Sequence, residues 1–158
     1  MKRTLICAVA FSIVAAASIP AVYASPRIDG ERFPHIDTSR QFPQGKLRNF
    51  RHTFRLYIPK ESSALSQLII DVPVGLGLSN DISVADQSGR KIDANASVND
   101  NKVILAFPQA VAPETQLSID MNRVRRLGVS NAWLYHVSAK LVGTDADIPL
   151  GVARFRVY

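Results

Sequence analysis

Arg51, Arg55, Arg154 and Arg156 stand at alternating positions in two segments far apart in the chain, with Tyr57 and Tyr158 among them. Arginine's planar fork fits a carboxylate or sulfate and tyrosine can stack on a sugar ring. If the two segments pair or neighbour each other, they make a surface for an anionic polysaccharide or an acidic envelope protein. The plainer reading is a solvated sheet face on which arginines guard an edge against aggregation. A second basic group, Arg123, Arg125 and Arg126, reads as a loop leading to Gly128. Loops often carry binding residues, although a solvated loop needs no ligand to explain it.

Metal chemistry has a thin supply. The chain holds His35, His52 and His136, and beyond the leader its one methionine is Met121. Imidazole and thioether suit copper or zinc, so a periplasmic metal-binding module is the alternative to a binding surface. His52 falls in an apolar row and His136 in a polar one, so the pattern does not bring them together. Calcium would need oxygen ligands from turns such as Asp86 to Asp93, Asn99-Asp100-Asn101 or Asp145-Ala146-Asp147, and none has the spacing of an EF-hand loop. No cofactor is indicated. Serine hydrolysis would need a serine on a sharp elbow with a histidine and an acid converging on it. No Gly-x-Ser-x-Gly occurs, and the sequence argues against an enzyme. Gly75-x-Gly77 lacks the third glycine and the strand-to-helix setting of a phosphate loop.

The elements that would position these residues are strands. From Trp133 to Leu141, Trp133, Tyr135, Val137, Ala139 and Leu141 alternate with polar His136, Ser138 and Lys140, a period of two. The apolar neighbours of Trp133 put it in the core rather than on a sugar. Phe50 to Ile58 alternates likewise with His52 in the apolar row, and Thr115 to Val124 turns Leu117, Ile119 and Met121 inward. In Pro149 to Tyr158, Gly151, Ala153, Phe155 and Val157 share one face and Arg154, Arg156 and Tyr158 the other. Weaker runs lie at Gln67 to Val72, Asp81 to Ala85, Lys91 to Val98 and Lys102 to Phe107. Asp86 to Gly89 reads as a hairpin turn, and Pro108 and Pro113 as the brackets of a loop. About eight short strands, punctuated by Pro, Gly, Asn and Asp, predict an all-β, immunoglobulin-like β-sandwich over residues 50–158.

Residues 25–49 contain three prolines, two glycines and no periodic run, and read as an extended N-terminal arm whose Phe33 and Phe42 tuck against the domain. Residues 1–24 have the form of a signal peptide: Lys2 and Arg3, an apolar run from Leu5 to Ile19, then Val22-Tyr23-Ala24. Cleavage after Ala24 would remove the only cysteine, Cys7, and leave no transmembrane span. It would also leave 17 basic against 13 acidic residues, an excess that mainly supports solubility. An exported chain, in the periplasm or outside the cell, makes nucleic acid an implausible partner.

The run from Phe50 to Tyr158 resembles a family of small secreted proteins of unknown function found largely in cyanobacteria. The resemblance rests on Thr53-Phe54-Arg55-Leu56-Tyr57-Ile58-Pro59, Asn80-Asp81-Ile82, the Asp86 to Gly89 turn, Trp133-Leu134-Tyr135 and the closing Leu150 to Tyr158. It implies an exported cell-envelope protein with a sandwich-like fold, and it names no ligand and no catalytic residue.

Overall fold

The computed structural model describes residues 32–43, 49–99 and 101–156; the leader and Tyr158 lie outside these. Two five-stranded antiparallel sheets face each other. The first holds β1 (His35–Phe42), β2 (Asn49–Ile58), β8 (Thr115–Arg126) and β4 (Leu76–Gly77) in that order, with β5 (Ile82–Ala85) also on β8. The second runs β10 (Ile148–Arg156), β9 (Ala132–Leu141), β3 (Leu65–Asp71), β7 (Lys102–Val111) and β6 (Asn95–Asn99). This is the immunoglobulin-like sandwich that the alternation implies, with ten strands among the described residues rather than about eight.

The apolar rows close on each other as one core. Phe54, Leu56, Leu117, Ile119 and Met121 from the first sheet meet Leu68, Ile70, Leu105, Tyr135 and Phe155 from the second, all fully or almost fully buried. Burial of each large side chain stabilises the fold by about 1.5–3 kcal/mol. Trp133 belongs to this core, 3 % exposed.

Several local expectations need correction, and three have a bulge or crossover as their cause. Within the segment read as an arm before the domain, His35–Phe42 is the edge strand β1 of the first sheet, paired with β2; a register shift between Ile36 and Thr38 breaks its alternation. Phe33 and Phe42 do not tuck in: they are 44 % and 64 % exposed. Gly151 faces solvent, because a bulge between Pro149 and Gly151, with Gly151 at φ 124°, turns Leu150 inward in its place. Asp86 to Gly89 makes a tight turn, but Ala85–Lys91 is an isolated bridge, after which the chain crosses to the other sheet. Pro108 lies within β7, which runs on to Val111.

Candidate functional site

The two outermost strands of the open edge, β1 and β10, lie side by side, and the Ser39 hydroxyl donates to the Arg154 carbonyl at 2.6 Å. An open groove of about 940 Å³ runs along this edge, lined by Arg40, Phe42, Arg51, Thr53, Arg154 and Arg156 among others. All four arginines are exposed, and among the described residues no carboxylate pairs with any of them. The Arg51 guanidinium lies 5.5 Å from the centre of the Phe42 ring. Asp120, next to the groove residue Thr53, accepts a hydrogen bond from its hydroxyl.

Three of the four arginines singled out from the sequence therefore do meet, but across β1 instead of by direct pairing of β2 with β10. Arg55 shares their outer face yet sits farther along β2, opposite Thr38, and does not line the groove. Tyr57 is farther still, opposite His35, with the two rings 5.7 Å apart. Sequence reasoning missed Arg40 because the irregularity at Asp37 hides the period of β1. The one signal available was Gln41-Phe42-Pro43, a local apolar punctuation in a polar stretch.

The second basic group is not in a loop: Arg123, Arg125 and Arg126 form the end of strand β8, and they are dispersed. One extra residue in β8 separates the Phe50–Val124 rung from the His52–Met121 rung, and Arg123 takes the left-handed conformation at φ 51°. Its guanidinium reaches Asp81 at 2.8–2.9 Å, and that hydrogen bond, with one from Asn122, holds the Asp81 carboxyl below its usual range. Arg125 points to solvent. Arg126 turns inward, 5.7 Å from the Phe50 ring centre, and its Nε and Nη2 are buried without a hydrogen-bond partner.

Beneath the groove lies His52, fully buried. It stacks on Phe155 with ring centres 4.0 Å apart and meets the edge of Tyr135. Gln41 Oε1, which can only accept, lies 3.2 Å from Nε2, and the Tyr135 hydroxyl lies 2.7 Å from Nδ1. An acceptor at Nε2 places a proton there, and with the ring neutral, as its lowered pKa requires, Nδ1 accepts from Tyr135. Burial, helped by the nearby charge of Arg126, pushes the His52 pKa down to about 3. Burial likewise drives the Tyr135 hydroxyl well above its ordinary range.

For metals the arrangement offers little. Among the described residues no three His, Cys, Asp or Glu side chains cluster, and both nitrogens of His52 are engaged. The Asp86 carboxylate is taken up by Ser88 and by Arg90, the latter an ion pair at 2.9 Å. Its hydrogen bonds, led by that from Ser88, lower its pKa.

No protein-family model matches the chain, and no curated protein does. Among solved structures, it is similar to the N-terminal domain of a Streptococcus gordonii adhesin, with a TM-score of 0.55 at 9 % identity, covering 80 % of this chain and 32 % of that one. It is also similar to the major pilin subunit of Bacillus cereus, with a TM-score of 0.50 at 11 % identity, covering 78 % and 40 %. At such identities the likeness shows the sandwich fold. No helix among the described residues is long and apolar enough to cross a membrane.

Proposed function

We propose that this chain is an exported, non-catalytic binding module whose β1–β10 groove holds an acidic glycan of the cell envelope. The observation that carries the reading is the convergence of Arg40, Arg51, Arg154 and Arg156 on one groove, with no carboxylate among the described residues paired to any of them. Four guanidinium groups repel one another unless an anion sits among them, and their forks match carboxylate or sulfate groups. Phe42, held exposed at the groove, supplies an apolar surface on which a sugar ring can lie. That favours a glycan over an acidic peptide. Adhesin and pilin domains with the same fold support a role in attachment. Export is what the leader pattern and the resemblance to small secreted proteins imply.

Alginate-column retention at low salt tests the reading. Replacing Arg40, Arg51, Arg154 and Arg156 together by serine removes the groove's charge and should abolish retention, whereas Arg55→Ser, outside the groove, should keep most of it. Retention of the quadruple variant like the parent would overturn the proposal. So would a loss with Arg55→Ser as large as that from Arg51→Ser, since the charge would then act without a site.

A further inference from the structure

One end of the sandwich carries a group of aliphatic side chains that the fold leaves in water. Val129 is 102 % exposed, Val74 85 % and Leu127 69 %, on the loops that follow β3 and β8. These loops are clamped together. The Gly75 carbonyl accepts from the Leu127 N–H at 2.8 Å and from the Gly128 N–H at 2.9 Å. Gly75 and Gly128 pack so closely that a methyl on either would lie 3.2–3.3 Å from the other's Cα, and Gly75, at φ 94°, rests on the Trp133 ring. The clamp thus fixes the backbone that carries Val74, Leu127 and Val129, and the Leu127 side chain lies along Gly77 of β4 with most of its surface still in water.

Among the described residues, the two loops of this tip carry charge of one sign only. No acidic residue occurs from Val72 to Asn80 or from Met121 to Thr144. Arg125 is exposed on the β4–β8 rung beside Gly77, and the antiparallel register brings Arg51 and Arg156 to the same end. Of the described acids that border these loops in the chain, Asp81 pairs with Arg123 and Asp71 with Lys102 at 3.4 Å.

We infer that this end docks on an anionic phospholipid surface, with Val74, Leu127 and Val129 entering the interfacial layer and Arg125 meeting the headgroups. Apolar insertion combined with attraction of cations to anionic lipid is how interfacial binding is built. A tip of three aliphatic side chains is also far smaller than the roughly 800 Å² per partner that a stable protein interface needs.

The test is co-sedimentation of the exported protein with phosphatidylglycerol/phosphatidylcholine vesicles. The protein should pellet with these vesicles and much less with pure phosphatidylcholine. Val74→Ser/Leu127→Ser/Val129→Ser, at exposed sites that leave the core intact, should lower partitioning by about tenfold or more. Arg125→Glu should lower it by at least about fivefold, and more weakly at high salt. Wild-type protein left in the supernatant, or a triple variant that binds equally well, would overturn the inference. So would a dimer in sedimentation velocity that the triple variant abolishes, because the tip would then cover a second copy.

Discussion

Taking the solution from neutral pH to about pH 5 protonates a histidine of ordinary pKa, 6.5, but leaves His52 neutral in the folded protein, where its pKa is near 3. The ring is fully buried, its Nδ1 meets the Tyr135 hydroxyl, and Arg126 opposes a positive charge there. The unfolded chain therefore binds one more proton than the folded one between these two values, and stability rises with pH across that window. The contribution is fully present above pH 6.5 and is lost progressively as pH falls toward 3. At 1.36 kcal/mol per pH unit, the loss reaches about 2 kcal/mol by pH 5 and about 5 kcal/mol in all. Urea unfolding at a series of pH values measures it directly. His52→Gln lacks the titrating ring, so whatever its absolute stability, its curve should be flatter than the parent's by about 2 kcal/mol between neutral pH and pH 5. Parallel curves for the two proteins over that range would refute the buried, neutral assignment.

Arg126→Met should leave stability at neutral pH unchanged or raised by about 1 kcal/mol, because it removes a half-buried cation whose Nε and Nη2 are shut off from solvent without a hydrogen-bond partner. It should also make the acid-induced loss level off at a higher pH, since the charge that opposes His52 protonation is gone; both effects are read from the same urea series. Gly75→Ala should cost about 1–3 kcal/mol, because alanine is strained at φ 94° and its methyl meets Gly128 and Trp133 at 3.3 Å. Thermal unfolding shows this as a Tm lowered by several degrees.

The fold was legible wherever alternation ran unbroken. Trp133 to Leu141 declares both its parity and its burial, and β2 places His52 inward by the same rule. Legibility failed wherever one residue was inserted. The irregularity at Asp37 concealed β1, and with it Arg40 and the true neighbour of β10. The bulge at Gly151 exchanged the facing of Gly151 and Leu150 without disturbing Ala153, Arg154, Phe155 and Arg156. For the site, the sequence offered the right residue type and three of the four groove arginines. It could not tell Arg51 from Arg55, because both face outward on one strand and only the position of β1's end separates them. The tip was invisible for a different reason: valine and leucine in short loops look like buried residues until the fold shows nothing covering them.

The inserted residue in β8 also explains why three neighbouring arginines have three unrelated roles. Before it, the inward positions are Leu117, Ile119 and Met121; after it, they are Val124 and Arg126. Arg123 absorbs the change in left-handed backbone and spends its charge on Asp81. Arg125 is thereby left facing water beside the apolar tip, where its charge is free to act on a surface. Arg126 is driven under Phe50 and toward His52, where its charge favours the neutral ring. That neutral ring, through its Nε2–H, holds Gln41 on β1, and β1 carries Arg40 and Phe42 into the groove. A one-residue shift of parity thus separates the cation that serves the outside of the molecule from the cation that helps fix the strand on which the groove is built.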